Sequence, residues 1–168
     1  VIAEGNFARA EASIRKWVKN RYNNSQSLLD SSNGRLFDNP FTTGEKSYGI
    51  VANPKKLRLD LSDNIDSSFA ETSNLKHSPI LGYAYDGNPI YGPYGYENPE
   101  DSSSSIKRIL SGYTLRSSRP NGPSITNYPL GSFIDDYIWT KTEKTGKTEL
   151  DENNGRYCIT PEFPKGTY

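Results

Sequence analysis

The sequence predicts a mainly β or α+β fold: short antiparallel strands, long loops rich in Pro, Gly, Ser and Tyr, and one N-terminal amphipathic helix. Three observations predict it. The apolar fraction is 33%, and it is spread over short runs rather than long ones. Residues 77–96 read HSPILGYAYDGNPIYGPYGY, placing five of the 12 tyrosines between Tyr83 and Tyr96 among Gly82, Gly87, Gly92, Gly95, Pro79, Pro89 and Pro93. Helices do not tolerate Gly and Pro at this spacing, and linkers lack such aromatic weight. Helical spacing is confined to the beginning of the chain.

There, Phe7, Ala10, Ile14, Trp17 and Val18 recur at intervals of three and four, which predicts a helix over 7–22. Asn6 is suited to cap it and Asn23-Asn24 to end it. Phe7, Ile14, Trp17 and Val18 form its docking stripe, and Arg9, Arg15, Lys16, Lys19 and Arg21 its basic face. Residues 23–47 are rich in Asn, Ser, Asp and Gly and read as loop with room for one short strand at the apolar island Leu36-Phe37. Over 48–61 the chain alternates, with Leu57, Leu59 and Leu61 on one side and Arg58 and Asp60 on the other, as in a half-buried strand. Residues 63–74 are polar loop.

Ile80 to Tyr85 and Ile90-Tyr91 then read as strands around Asp86-Gly87, a dipeptide that favours a tight hairpin because Gly accepts positive φ. Residues 106–110 are a helical turn or a strand. Residues 112–115 are a strand, 116–129 a long loop, and 133–140 an alternating strand. Residues 144–147 turn about Gly146, and Tyr157 to Thr160 forms a last strand. The organisation expected is a segment of helix and polar loop over 1–47 and a β domain over 48–168, together a piece of a longer polypeptide.

Charge and composition exclude several classes. Twenty basic residues balance 20 acidic ones, so bulk charge implies neither nucleic acid nor an anionic membrane as partner. No apolar run approaches the length of a membrane span. The single cysteine, Cys158, rules out an internal disulfide framework and reads as a small core side chain. One histidine and one cysteine are too few for an ordinary zinc or copper site. A calcium ion would draw on oxygens from Asp86, Asn88 and Asp151, with Glu152 and Asn153 nearby in sequence. No cofactor is expected.

For catalysis, the candidate group is His77, Asp86 and Glu152, acting as a hydrolase would. The structural alternatives are a rim histidine that orders its loop, and a turn aspartate that accepts backbone N–H bonds. For recognition, the candidates are Tyr83, Tyr85, Tyr91, Tyr94 and Tyr96, with Arg119 and Arg156. Tyrosine supplies flat area and a hydroxyl at low entropy cost, which suits sugars and proteins alike. The structural alternatives are a tyrosine-rich core and arginines that pin loops by bridging carbonyls or an acid.

Two blocks carry a resemblance. HSPILGYAYDGNPIYGPYG resembles the central signature of the YHYH domain family. LDENNGRY at 150–157, running into Thr160-Pro161-Glu162-Phe163-Pro164 and Gly166-Thr167-Tyr168, resembles that family's closing motif. The resemblance covers about residues 48–168. The tetrad for which the family is named aligns by eye with Tyr48-Gly49-Ile50-Val51, where both histidines are lost, so no metal or proton-transfer role carries over. Ser105-Ile106-Lys107-Arg108 and residues 117–123 are most similar to copies embedded in structural proteins of tailed phages, cyanophages above all. The resemblance implies a non-enzymatic structural or adhesion module of a virion tail or baseplate, contacting other virion proteins within a larger polypeptide or homo-oligomer, or a host surface glycan. A cell-envelope hydrolase and an extracellular or periplasmic metal-binding domain are the alternatives.

Overall fold

A chain this poor in apolar residues must build its interior from something else. The computed structural model, which describes residues 17–20, 22–23, 26–38, 43–140 and 149–168, shows that it uses ions and amides. Among the described residues the buried hydrophobic side chains are Val51, Ile65, Tyr94 and Phe133. The buried polar ones are Arg58, Asp63, Asn64, Ser78, Arg119, Asp136 and Thr160. Buried charge is tolerable only when paired and hydrogen-bonded, and each unit of the chain contains one such pairing.

The architecture is β-rich. The strands are β1 (Gly34–Asp38), β2 (Lys46–Ile50), β3 (Ile80–Tyr83), β4 (Pro89–Tyr91), β5 (Tyr94–Tyr96), β6 (Ile106–Arg108), β7 (Tyr113–Leu115) and β8 (Tyr137–Trp139). One short helix, α1 (Lys55–Asp60), lies between β2 and β3, with 3-10 turns at Gln26–Leu28 and Ile134–Asp136. Among the described residues the strands pair as four two-stranded sheets, β1–β2, β3–β4, β5–β6 and β7–β8. No described helix is long and apolar enough to cross a membrane. Contacts divide the chain into two units, Val1–Pro54 with Leu115–Ile138 and Lys55–Thr114 with Trp139–Tyr168. Each is made of two separate stretches, whereas the division read from the sequence at 47/48 is sequential.

Several elements differ from their sequence reading. Of the helix over 7–22, residues 7–16 lie outside the described residues, as does the turn at 144–147. Residues 17–20 are extended: Lys19 bridges Phe133 antiparallel, Asn20 N–H donates to Ser132 O, and Ile134 N–H donates to Val18 O. The short strand allowed for at Leu36-Phe37 is β1, which pairs with β2 from Gly34 opposite Ile50 to Asp38 opposite Lys46. The strand read over 48–61 is instead the end of β2 followed by α1. Pro54 stops the extended run, because proline suits the first turn of a helix, and three alternating leucines are too few to tell the two periods apart. The strand over 133–140 is a 3-10 turn and a short β8. That over 157–160 is reduced to a bridge between Cys158 and Thr167.

In the first unit the organising contact is Arg119 with Asp136. Nε and Nη2 of the guanidinium each lie 2.6 Å from a carboxylate oxygen. The remaining donors take the carbonyls of Pro123, Tyr128 and Pro129 at 2.8, 2.9 and 3.2 Å. Asp136 Oδ2 also accepts the N–H groups of Gly131 and Phe133, both at 3.0 Å. The guanidinium lies over the Phe133 ring at 4.7 Å, and Trp17 meets Phe133 edge-on at 5.9 Å. One ion pair thus closes the loop over 116–136 and seats the docking tryptophan. Its bond from Arg119 holds the Asp136 carboxyl below the ordinary 3.8.

Breaking a buried pair leaves an uncompensated charge, whereas an exposed pair contributes little. Asp136→Asn is therefore expected to lower the thermal midpoint far more than Asp38→Asn, which removes only the exposed partner of Lys46. Paired thermal melts check this, and equal effects would refute the structural role of the pair.

Candidate functional site

The second unit carries the tyrosine-rich block, and a buried carboxylate sets its position. Asp63 follows α1 and is enclosed. It accepts from Arg58 Nε at 2.5 Å, Ser78 Oγ at 2.7 Å and Asn64 Nδ2 at 3.0 Å. Arg58 turns its two terminal nitrogens to Glu71, each at 2.9 Å, the two-pronged geometry that suits guanidinium and carboxylate. Asn64 exchanges hydrogen bonds with the backbone of Lys76, both at 2.8 Å. Ser78 Oγ accepts from Tyr94 N–H at 3.1 Å, and Ser78 N–H donates to Tyr94 O. A chain of bonds thus runs from α1 through Asp63 to β5. Gly92 is required by this approach: a Cβ there would stand 2.7 Å from Asp63 Oδ2 and 2.8 Å from Ser78 Oγ.

Burial works against the Asp63 carboxylate, but the bonds from Arg58 and Ser78 outweigh it and hold the group below 3.8. The bond from Arg58 likewise holds Glu71 below 4.5.

Beside this network sits His77. Its Nδ1 lies 2.9 Å from Ser78 O, so Nδ1 carries the proton and Nε2 the lone pair. The ring is bracketed by Tyr91, edge-on at 5.2 Å, and Tyr96 at 4.9 Å. Burial depresses its pKa below 6.5, opposed by the Ser78 bond and by Glu162. Tyr91 Oη lies 2.8 Å from Thr160 Oγ1 and 2.9 Å from Glu162 Oε2, which joins the central block to the closing block through side chains. Burial pushes the Tyr91 phenol up to about 12. Cys158 is half-buried and its thiol is pushed up by burial, which suits a packing role rather than nucleophilic chemistry.

β3 and β4 form the hairpin read from the sequence. Gly87 N–H donates to Ala84 O and Ala84 N–H to Asn88 O, with Gly87 at φ 87°. This is the three-residue form of the loop, a tight turn closed by a left-handed glycine. Its tip carries Tyr85, fully exposed, and Tyr83 is 62% exposed.

The site candidates therefore separate. Tyr94 is buried, Tyr91 and Tyr96 wall in His77, and Tyr83 and Tyr85 face solvent. Arg119 is buried on Asp136 in the first unit and offers no binding face. Arg156 is half-buried and donates to Glu97 O at 2.9 Å. Asp86 is exposed and accepts the Asn88 N–H at 3.1 Å. The exposed Glu152 receives the Tyr113 hydroxyl on its backbone carbonyl at 2.8 Å. Neither Asp86 nor Glu152 bonds to His77, whose charged neighbours are Glu162, Arg156 and Asp63. Asp151 accepts the N–H groups of Asn153 and Gly155 and the Tyr168 hydroxyl, so both of its oxygens are committed. Among the described residues, no group of three or more His, Cys, Asp or Glu side chains is placed to share a metal ion. Arg58, Asp63, Glu71 and Asp136 were missed as organisers. Only the paired Asp135-Asp136 inside an otherwise apolar run gave any signal.

Comparison with known proteins agrees with the two blocks. The sequence profile of the YHYH protein family matches residues 53–168, and the chain belongs to that family. The match begins after Tyr48-Gly49-Ile50-Val51, so that stretch lies ahead of the matched residues. A chaperone for lacto-N-biosidase from Bifidobacterium longum subsp. longum is 30% identical over 102 residues, covering 59% of this chain. The aligned part spans 36% of that relative's length. No solved structure matches.

The charged groups predict a pH response with a definite sign. His77 is held neutral by the fold, so its contribution is full above its unfolded value of about 6.5 and is lost as pH falls through the folded value. Asp63 and Glu71 are held ionised, so theirs is full above about 4.5 and is lost below. Urea midpoints measured across a pH series are expected to decline from about 6.5 and more steeply below about 4.5. His77→Gln should remove the first decline and keep the second. A midpoint that rises on mild acidification would refute these environments.

Proposed function

We propose that this chain is a non-catalytic accessory module that holds a partner protein through the exposed tyrosines of the β3–β4 hairpin. The observation that carries the reading is the division of labour among the tyrosines. Tyr94 is consumed by the interior, Tyr91 and Tyr96 by the His77 wall, while Tyr83 and Tyr85 stand free on a short hairpin fixed by Gly87. Rigid exposed tyrosines give large contact area at little entropic cost. Of the fully buried charged groups, Arg58 is paired with Asp63 and Arg119 with Asp136. Asp86 and Glu152, the acids a hydrolase would need beside His77, sit in exposed turns.

Membership of the YHYH family and the name of the Bifidobacterium relative, a chaperone for another protein, support an accessory role of this kind. The setting we propose is a tailed-phage virion protein of the tail or baseplate, as the resemblance of residues 105–108 and 117–123 suggests. There the partner is a neighbouring virion protein, and a host surface glycan is the competing ligand.

Photo-crosslinking from a benzophenone side chain at position 85, carried out in the native producer, tests the reading. One discrete polypeptide adduct is expected. It should be abolished by Tyr83→Ser, with the thermal midpoint unchanged. An adduct spread evenly over many proteins, an adduct insensitive to Tyr83→Ser, or no polypeptide adduct at all would overturn it, the last outcome favouring the glycan.

A further inference from the structure

Where this fold buries an arginine for its own stability, it supplies a carboxylate. Arg58 receives Asp63 and Glu71, and Arg119 receives Asp136. Both guanidinium groups are held more firmly protonated as a result. Arg35, also half-buried, lies over the Phe37 ring at 4.5 Å, has no carboxylate partner among the described residues, and its buried Nε makes no hydrogen bond there. Arg156 likewise lacks a carboxylate, but it lies beside the tyrosine block and acts on His77. It is half-buried, yet its hydrogen bond is to one backbone carbonyl, Glu97 O, and no carboxylate of the described residues pairs with it. Burial depresses its pKa instead of raising it. Glu162, which like Arg156 acts on His77, accepts from the Tyr91 hydroxyl and makes no ion pair with Arg156. A guanidinium has five N–H donors in a planar fork that matches a carboxylate, so most of the recognition capacity of Arg156 is unspent.

We infer that Arg156 anchors a carboxylate-binding site, filled by a carboxylate of the partner polypeptide. This deepens the partner-holding reading and rests on it. The neighbourhood suits such a ligand. Arg156 is only half-buried, so a carboxylate can reach its remaining donors from solvent. The Arg156 charge acts on His77, the chain's sole imidazole, and disfavours its protonation. A carboxylate bound at Arg156 offsets that charge, so His77 takes up a proton more readily in the complex.

That coupling supplies the test, because a single histidine gives a single set of imidazole resonances. The whole protein is titrated by NMR, at constant ionic strength, with three short blocked peptides. One carries an Asp side chain and an amidated end, one carries a free C-terminal carboxylate on glycines, and one carries Asn with an amidated end. An upward shift of the His77 titration midpoint is expected with one or both carboxylate peptides, and no shift with the Asn peptide. Which carboxylate acts identifies the source as side chain or chain terminus. In Arg156→Gln the midpoint starts higher and the response disappears. In Arg156→Lys, which keeps the charge but loses the fork, the response is weakened, and this variant decides the matter if Arg156→Gln fails to fold. No shift with either carboxylate peptide, an equal shift with the Asn peptide, or an undiminished response in both variants would overturn the site. Loss of the photo-adduct from position 85 beside an intact carboxylate response would remove the partner reading and leave the site. The reverse result would remove the site alone.

Discussion

One enclosed carboxylate, Asp63, sets most of what the second unit can do. Through Arg58 it ties down α1, through Asn64 the turn at 63–65, and through Ser78 the start of the tyrosine block. Gly92 must lack a side chain because Asp63 and Ser78 occupy that space. The first unit repeats the device with different residues, Asp136 gathering Arg119 and the N–H groups of Gly131 and Phe133. Among the described residues few large apolar side chains are fully enclosed, so loops as long as 116–136 hold their shape by ionic and amide contacts. Such contacts are directional. They specify one loop geometry where a loosely packed apolar interior would accept several.

That directionality links stability to function. A tyrosine is useful for recognition only if its backbone is fixed and its ring is not needed inside. The block over 77–96 meets both conditions by alternating roles along a short stretch. Ser78 and Tyr94 are locked to the Asp63 network, Tyr91 and Tyr96 enclose His77, and the hairpin between them projects Tyr83 and Tyr85. The closing block braces this arrangement from the other side, through Thr160 and Glu162 at the Tyr91 hydroxyl. Nearby, Arg156 holds the Glu97 carbonyl. Two stretches far apart in sequence therefore form one local structure, consistent with a family match that includes both.

The sequence made the hairpin legible because its cause is local: Asp86-Gly87 between short apolar runs needs no distant partner to be read. The roles of Arg119 and Arg156 as loop pins, and of His77 as a rim residue, were among the readings open from residue type alone. What could not be read depends on partners far away in sequence. Arg58 looked like the wet side of a strand because Leu57 and Leu59 flank it. Its enclosure follows from Asp63 and Glu71, which meet it because the chain leaves α1 through a turn at Leu61-Ser62, where Ser62 has φ 55° and Asp63 N–H donates to Arg58 O. Trp17 and Val18 fit a helical stripe, but residues 17–20 are held extended by backbone bonds to residues 132–134, more than a hundred positions away. Asp136 lay in an alternating run, yet its side chain bonds impose a 3-10 turn instead.

The central claim is that buried ion pairs, rather than apolar area, hold the tyrosine block in place. A double-mutant cycle on Arg58 and Asp63, read by urea unfolding, tests it most directly. Arg58→Met strands the buried Asp63 carboxylate and is predicted to cost about 3–5 kcal/mol, whereas Asp63→Leu leaves Arg58 paired with Glu71 and should cost less. The double variant should cost clearly less than the sum of the two, since it removes both charges together. Additive losses, or single variants as stable as the parent, would show that the pair is incidental and that the account of this fold is wrong.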